Sequence, residues 1–472
     1  MKIKKQILIS LIIMITMINQ IIYTKPVLAA PLAVASTTTS TAALAPTSAL
    51  ASSSTATKAP APDFTLASEG AILMDSATGK ILYGKNENKK LYPASTTKIL
   101  TAIIAIEKCK PTAQITASYD AVMSLPSGYS NAAIQSGETL GFQDLLDMFL
   151  IHSANEIGTI FAEHISGNVE NFATLMNQKA QSIGCKNSNF TNPSGIHDEN
   201  HYSTAYDMVL IAQYCMKNQT FRNTVAKTSC TVEATDKYEK RFFRNTNDLL
   251  NPSSDYYYEH AIGVKTGYTS QAKRCLIAAS AKDNIELITV VLGTQSATPD
   301  TRYLDTINLF DYGFSNYKIQ KIATKGTSVK EITVGNATKD TQNLSLLLKN
   351  DITGLIPANL SLTDLEPTVE LNNLIAAPIK EGDVLGKITY NIDGTAYSAD
   401  LIANQNVEEF DPINVIKQIV LAFLVLFIFA KLILPKRKKS KNKNSKKSKS
   451  SKKKNTRKKN SGTPKRDSIY KF

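Results

Sequence analysis

The chain has 472 residues, enough for two folded domains with terminal extensions, and its formal net charge of +14 first suggests a nucleic acid or an anionic membrane as partner. The location of the charge argues against nucleic acid. Residues 436–472 hold 18 of the 54 lysine and arginine residues in a Lys/Ser/Asn run that cannot form a packed core, whereas the other 435 residues carry 36 basic and 39 acidic residues. We therefore expect a mildly acidic folded body and no nucleic-acid partner.

Residues 1–35 have the layout of a secretory signal peptide. Lysines near the start precede an apolar run from Ile7 to Ile18, and small residues end at Ala33-Val34-Ala35. Because the apolar run is too short to span a bilayer comfortably, export is favoured over an N-terminal anchor. Residues 36–63 are rich in Ala, Ser, Thr and Pro, a composition that predicts a flexible linker.

Residues 64–317 combine strand patterns at both ends with helical patterns between them. The runs AILMD and KILYG flank the turn SATG near the start, and RCLIAAS and IELITVVLG bracket a second turn near the end. Between them, apolar residues recur every three or four positions from Thr97 to Lys108 and from Gly141 to His164. This order predicts an α+β domain in which helices flank an antiparallel sheet.

The C-terminal third of the chain has two further sequence patterns before the basic tail. Residues 318–410 show short alternating runs such as VKEITV and KITYNI, typical of a small all-β domain. Residues 411–435 begin with a capping aspartate, end at a proline and predict an apolar helix of ~33 Å, enough to cross a bilayer. A helix lying on the membrane surface is the alternative. The tail 436–472 would then be cytoplasmic and the folded body outside, anchored to the cell membrane.

Cysteines and histidines give no pattern that predicts a metal. His197 and His201 have the spacing of a zinc pair, but they follow a predicted loop, so packing or hydrogen bonding is favoured and no metal is expected. We interpret Asp144, Asp147 and Glu163 as a solvated helix face. The cysteines lack CxxC spacing and are interpreted as buried free thiols, with one disulfide left open. They are Cys109, Cys185, Cys215, Cys230 and Cys275.

Ser95 and Lys98 lie three residues apart where a helix is predicted to begin. Residues with this spacing share a helix face, so the hydroxyl and the amine can meet. A serine becomes a nucleophile when a base takes its proton, and a lysine is such a base only when its pKa falls toward neutrality. Desolvation, a helix N-terminus and a second cation each lower that pKa. The pattern alone is weak evidence because Ser270 and Lys273 repeat it.

Two further motifs strengthen the interpretation of this pair. Ser153 and Asn155 supply a hydroxyl and an amide between two helical segments. Lys265, Thr266 and Gly267 supply a cation, a hydroxyl and a glycine on a predicted strand, and this tripeptide occurs once in the chain. A glycine at that point would let a substrate backbone approach closely.

In chain order the motifs are S-x-x-K, S-x-N and K-T-G, the set of the penicillin-interacting serine enzymes. The chain resembles the low-molecular-mass penicillin-binding proteins that are serine D-Ala-D-Ala carboxypeptidases. The resemblance runs from about Phe64 to Phe410 and includes FATLMNQKAQSIGCKNSNFTNPSGI, HYSTAYDM and AAPIKEGDVLGKI. It implies a penicillin-binding, β-lactamase-like transpeptidase fold with a helical subdomain, followed by a small all-β sandwich domain and a C-terminal membrane helix.

The resemblance also implies a reaction and a role for each motif residue. Ser95 would attack the carbonyl of the penultimate D-Ala, and Lys98 would accept its proton. Ser153 would relay a proton to the leaving amine, and Asn155 would hold the substrate's peptide amide. Peptidoglycan stem peptides ending in D-Ala-D-Ala would be the substrates, and β-lactam antibiotics would be covalent inhibitors. No cofactor is implied.

The third motif would bind the substrate's terminal carboxylate. By resemblance, Lys265 and Thr266 contact that carboxylate beside Gly267, and Lys265 also helps to keep the catalytic amine neutral. The oxyanion hole would consist of the backbone N–H groups of Ser95 and Tyr268.

The chain departs from the family pattern at three places. Glu156 stands where relatives more often have an aspartate, Tyr268 stands where many have a histidine, and QAKRC stands where a glycine is usual. Two alternatives to the carboxypeptidase remain. A class A-like β-lactamase would need a deacylating glutamate with an asparagine four residues on, which Glu163, Glu170 and Glu199 lack. A non-catalytic peptidoglycan-binding protein would keep the fold without turnover.

Overall fold

The computed structural model describes residues 58–295 and 298–433, so the predicted signal peptide, most of the predicted linker and the basic tail lie outside the described residues. The helices are α1 Lys98–Lys108, α2 Tyr119–Met123, α3 Phe142–Asp147, α4 Glu156–Ser166, α5 Val169–Ile183, α6 Ala205–Met216, α7 Gln219–Val225, α8 Thr301–Asn316 and α9 Pro412–Ile433. The strands in the first part of the chain are β1 Gly70–Asp75, β2 Ile81–Lys85, β3 Gln114–Thr116, β4 Thr139–Gly141, β5 Ser229–Val232, β6 Arg241–Arg244, β7 Ala261–Thr269, β8 Lys273–Lys282 and β9 Ile285–Thr294. Those that follow are β10 Tyr317–Ala323, β11 Ser328–Thr333, β12 Asn343–Leu348, β13 Ile352–Pro357, β14 Thr368–Leu371, β15 Val384–Ile392 and β16 Thr395–Ala403.

A five-stranded antiparallel sheet with the order β2-β1-β9-β8-β7 forms the centre of the first domain. Strands β8 and β9 are joined by Asp283 and Asn284, which both have positive φ angles (52° and 64°). Two such residues in succession form the turn that matches the twist of a hairpin. The strand pairs predicted from AILMD/KILYG and RCLIAAS/IELITVVLG are confirmed, and β7 lies at the edge of the sheet.

Both faces of this sheet are buried. Successive side chains of each strand point to opposite sides, so each strand contributes to two cores. On one face, Ile72 and Ile288 join a core with α1 and α6. On the other face, Leu73 and Leu287 pack with Phe310 of α8. The predicted α+β arrangement of helices flanking an antiparallel sheet is therefore confirmed.

The predicted helical stretch from Gly141 to His164 is divided into α3, a π-helical turn over Met148–His152, and α4. The predicted solvated face is wrong for Asp147. Its carboxylate is buried and accepts hydrogen bonds from Lys227 Nζ, the shorter at 2.6 Å. The partner lies on a segment far along the chain, so the pattern of the helix alone does not reveal the pair.

A second, all-β region follows α8. One sheet has the order β11-β12-β16-β15-β14, and β10 pairs with β13 in a separate ladder. Residues such as Leu346, Ile388 and Leu401 form a core of their own between these strands. The short alternating runs of this part of the sequence thus form the predicted β-domain.

The all-β region and the central sheet share contacts at their junction. Lys80 Nζ lies 3.1 Å from Asp393 Oδ2, and the Tyr317 hydroxyl donates to the same carboxylate at 3.2 Å. Leu355 of β13 belongs to the same core as Phe310 of α8. The junction therefore combines an ion pair of low exposure with apolar packing.

Helix α9 belongs to a separate compact unit that begins at Phe410. Asp411 caps the helix by accepting hydrogen bonds from the backbone N–H groups of Ile413 and Asn414. Residues Pro412–Leu432 are long and apolar enough to cross a membrane, with a mean hydropathy of 2.4 in the most apolar window.

Candidate active site

Ser95 lies on a 3₁₀ turn, Ala94–Thr97, and Lys98 is the first residue of α1. The prediction placed both residues on one α-helix, whereas the tighter turn has three residues per turn and aligns side chains three apart directly. Lys98 Nζ and Ser95 Oγ are 2.8 Å apart. The hydroxyl and the amine are therefore in hydrogen-bond contact.

The Lys98 amine is fully buried and has two further partners. It donates to Asn155 Oδ1 at 2.7 Å and to the carbonyl oxygen of Ser194 at 2.9 Å. Burial lowers the pKa of Lys98 well below its usual value, and the charge of Lys265 lowers it further, while Glu156 opposes the shift. These surroundings favour the uncharged form of the amine.

Ser153 and Asn155 follow the π-helical turn that interrupts the helical stretch. Ser153 has a left-handed backbone (φ 71°, ψ 28°) and is buried. The backbone N–H and the side-chain amide of Asn155 both donate to the carbonyl of Ser130, at 2.9 and 2.8 Å. π-helical turns and left-handed residues other than glycine occur preferentially at functional sites. The irregular backbone places the second motif against Lys98.

The third motif lies on the edge strand β7. Lys265 is buried, and its Nζ donates to the carbonyl of Thr266 at 3.1 Å. Burial and then the nearby charge of Arg302 lower the pKa of Lys265 to about 7. The Thr266 hydroxyl hydrogen-bonds to Thr246 Oγ1 at 2.7 Å.

Gly267 is required by close packing against the segment that holds the nucleophile. A Cβ atom built at this position would lie 3.0 Å from Ser95 N and 3.1 Å from the carbonyl oxygen of Pro93. The sequence-based explanation, that glycine lets a substrate approach, misses this contact. Tyr268 follows directly, and its side chain is exposed.

Two further residues are functional candidates: Glu156, which the sequence marked only as a departure from the family pattern, and Arg302, which the sequence analysis did not single out. Glu156 is 3% exposed and accepts a hydrogen bond from Ala132 N at 2.6 Å, and burial raises the pKa of its carboxyl group. Arg302 lies in the first turn of α8, and its guanidinium group stacks 4.7 Å above the ring of Tyr303. Arg302 belongs to no short motif, and its charge reaches Lys265 from a distant segment of the chain.

The histidine pair with zinc-like spacing has a different role. His201 Nδ1 accepts a hydrogen bond from Thr191 N at 3.1 Å, and Nε2 donates to Thr97 Oγ1 at 2.8 Å. Burial lowers the pKa of His201 to about 4. The hydrogen bond from His201 to Thr97 therefore links the loop of His201 to the turn that carries Ser95. Within the described residues, no group of three or more His, Cys, Asp or Glu side chains is arranged to hold a metal ion.

A half-buried serine in contact with a buried lysine, an amide and a strand cation form the arrangement typical of a serine acyl-transfer site, here on an α+β fold. A family model described as D-alanyl-D-alanine carboxypeptidase matches residues 54–296, and one described as the C-terminal domain of penicillin-binding protein 5 matches residues 317–409. The chain is 32% identical over 344 residues to D-alanyl-D-alanine carboxypeptidase DacF of Bacillus subtilis, covering 71% of this chain and 84% of that protein. It is also 32% identical over 330 residues to D-alanyl-D-alanine carboxypeptidase DacA of Haemophilus influenzae, covering 68% and 80%.

Among solved structures, penicillin-binding protein 5 from Haemophilus influenzae aligns with a TM-score of 0.59 and 29% identity, covering 74% of this chain and all of that one. The chain therefore belongs to the D-alanyl-D-alanine carboxypeptidase family. The sequence-based predictions of family, fold and serine carboxypeptidase activity are confirmed.

Proposed function

We propose that the chain removes the terminal D-alanine from peptidoglycan stem peptides through an acyl-enzyme on Ser95, with Lys98 as the base. The observation that carries this proposal is the set of partners around Lys98 Nζ. A neutral amine has two N–H groups, and the amide oxygen of Asn155 and the carbonyl of Ser194 accept both. The remaining lone pair then faces the Ser95 hydroxyl 2.8 Å away, which donates its proton to the amine.

The reaction proceeds in two acyl-transfer steps. Ser95 Oγ forms a bond to the carbonyl carbon of the penultimate D-Ala, and the C–N bond to the last D-Ala breaks. The proton passes from Ser95 to Lys98 and on through the Ser153 hydroxyl to the leaving amine. Water then attacks the ester and releases the shortened peptide.

The charges around Lys98 balance its two protonation states. Lys265 disfavours the ammonium form before the reaction, so the amine can act as a base. The buried carboxylate of Glu156 favours the ammonium form that arises when the proton is taken. We propose that Glu156 thereby limits the energetic cost of charging a buried amine during acylation.

The substrate carboxylate binds to the third motif. Lys265 and Thr266 lie on β7, and Arg302 adds a second positive charge close enough to shift the pKa of Lys265. The Asn155 amide holds the substrate's peptide group. The backbone N–H groups of Ser95 and Tyr268 form the oxyanion hole, and one such donor is worth about 3 kcal/mol in the transition state.

Covalent labelling with a fluorescent penicillin tests this proposal. The wild-type chain should be labelled and Ser95→Ala should not, because the label requires the serine ester. Release of free D-Ala from a pentapeptide then separates a carboxypeptidase from a β-lactamase, which would instead hydrolyse the penicillin rapidly. An unlabelled wild type would contradict the proposal and favour a binding protein without turnover.

We also propose an organisation for the whole chain. Residues 64–317 form the catalytic domain and residues 318–410 a β-domain that separates the active site from the membrane. After export, α9 anchors the protein with the catalytic domain outside the cell membrane and the basic tail in the cytoplasm. The apolar composition of α9 and the lysine-rich tail support this topology. Protease added to intact cells should digest the folded body and leave a tag at Phe472 protected.

A further inference from the structure

Thr246 lies on a bend between β6 and β7 and hydrogen-bonds to three other segments of the chain. Its backbone N–H donates to the carbonyl of Ile151 at 3.2 Å, two residues before Ser153. Its own carbonyl accepts from the Tyr303 hydroxyl at 3.2 Å, and its Oγ1 is 2.7 Å from Thr266 Oγ1. The bend therefore connects the second motif, α8 and the third motif at one residue.

Contacts on both sides of Thr246 fix the position of this bend. Before it, the ring of Phe243 lies against the ring of His152, with ring centres 4.4 Å apart. After it, the N–H of Asp248 donates to the hydroxyl of Tyr303 at 3.2 Å, and Tyr303 is 1% exposed. The backbone of Thr246 is thus held by separate segments, and its β-branched side chain has few rotamers.

The direction of the hydrogen bond between the two threonine hydroxyls follows from the role of Thr266. In the proposed function, Thr266 contacts the substrate carboxylate, which only accepts hydrogen bonds. A threonine hydroxyl has one proton to donate, and its oxygen can accept at the same time. Were Thr266 to give its proton to Thr246, it would present only lone pairs to the carboxylate. Thr246 is therefore the donor of the pair when the carboxylate is bound.

A donor at this position strengthens the contact with the substrate. Hydrogen bonds in a chain polarise one another, so a hydroxyl that accepts a hydrogen bond becomes a better donor. Hydrogen bonds to an ionised acceptor such as a carboxylate are about twice as strong as neutral ones. Thr246 is an exposed residue whereas Thr266 is 7% exposed, so the pair leads from the surface to the buried third motif.

We propose that Thr246 is a positioning residue for the substrate carboxylate. Its hydroxyl donates to Thr266 Oγ1 and so directs the proton of Thr266 at the carboxylate. Thr246 acts through Thr266 and does not itself contact the substrate. This inference rests on the proposed function, because it uses the binding of the terminal carboxylate at Thr266.

Two substitutions separate the hydroxyl of Thr246 from the shape of its side chain. Thr246→Val replaces the hydroxyl by a methyl group, and Thr246→Ser keeps the hydroxyl. With a pentapeptide ending in D-Ala-D-Ala, Thr246→Val should raise KM about fivefold with little change in kcat, the scale of one hydrogen bond used in binding. Thr246→Ser should stay within about twofold of the wild type. Thr231→Val changes an exposed threonine of β5 in the same way and should leave KM unchanged.

A double-mutant cycle with Thr266→Val shows whether Thr246 acts through Thr266. The rate of acylation by a fluorescent penicillin, which carries a carboxylate, is measured because it requires no turnover. Thr246→Val should slow acylation about fivefold in the wild type and leave it unchanged in the Thr266→Val background. An equal slowing in both backgrounds would show that Thr246 acts independently of Thr266 and would overturn the proposal.

The same measurements separate this inference from the proposed function. An unchanged KM in Thr246→Val, or an equal rise in Thr246→Val and Thr246→Ser, would overturn the positioning role and leave the serine mechanism intact. Absence of labelling in the wild type would overturn the proposed function and this inference with it.

Discussion

Gly267→Ala should slow acylation because the added methyl group presses on the turn that carries the nucleophile. The new Cβ would lie 3.0 Å from Ser95 N and 3.1 Å from both the Pro93 carbonyl oxygen and Ala94 Cβ. Relaxed contacts of this kind are about 3.5 Å or longer, so the turn must retreat by about 0.5 Å. Since a misplacement of about 1 Å costs about 100-fold in rate, half that distance corresponds to about tenfold.

The rate of labelling by a fluorescent penicillin measures this effect, and thermal unfolding measures the accompanying loss of stability. Overpacking of this size costs about 1–3 kcal/mol. Gly335→Ala is the matched control, because the nearest atom to its added Cβ is 3.9 Å away. If Gly267→Ala were labelled at the wild-type rate with an unchanged Tm, the close contact with the Ser95 turn would not matter and the reasoning would be refuted.

Three further predictions concern buried ionisable side chains. Lys98→Ala should abolish both penicillin labelling and D-Ala release, with circular dichroism as the check on folding; normal labelling with lost D-Ala release would contradict its role as base. Lys265 is charged below its pKa of about 7 and loses that charge above it, so KM of the wild type should rise above pH 7 by up to about tenfold per pH unit. Lys265→Arg stays protonated, so its KM should remain flat from pH 7 to 9, and a parallel rise in both proteins would disprove the assignment. Arg241→Ala leaves the fully buried Glu138 without its ion-pair partner and should lower the free energy of unfolding by about 3–5 kcal/mol, measured by urea denaturation. Lys240→Ala, which breaks an exposed pair, serves as the reference and should cost below about 1 kcal/mol.

The sequence was sufficient to propose Ser95, Lys98, Asn155 and Lys265 because each belongs to a short motif, and the structure brings Lys98 into hydrogen-bond contact with Ser95 and Asn155. The spacing of residues in a sequence predicts which side chains meet when the backbone forms a regular turn or strand. Ser95 and Lys98, three residues apart, are an example. The strands of the central sheet were likewise predictable, since their apolar runs and the turn after Lys282 are local features.

Other parts of the site depend on contacts that no local pattern records. The second acceptor for the catalytic amine is a backbone carbonyl, that of Ser194, and any residue type could supply it. Glu156 and Arg302 act through electrostatics across segments that only the fold brings together. Asp147 was misinterpreted for the same reason, because its partner Lys227 lies far along the chain.

The shared packing between α8 and the β-domain has a practical consequence for truncation experiments. A fragment that stops before Lys318 would uncover Phe310 and neighbouring apolar side chains, which normally lie against Leu355. It would also remove Asp393, the ion-pair partner of Lys80. Loss of activity in such a fragment would then reflect misfolding or aggregation rather than a changed distance between the active site and the cell wall. Linkers of different length inserted after Glu409 would vary the distance between the folded body and α9 while leaving the junction between α8 and the β-domain intact.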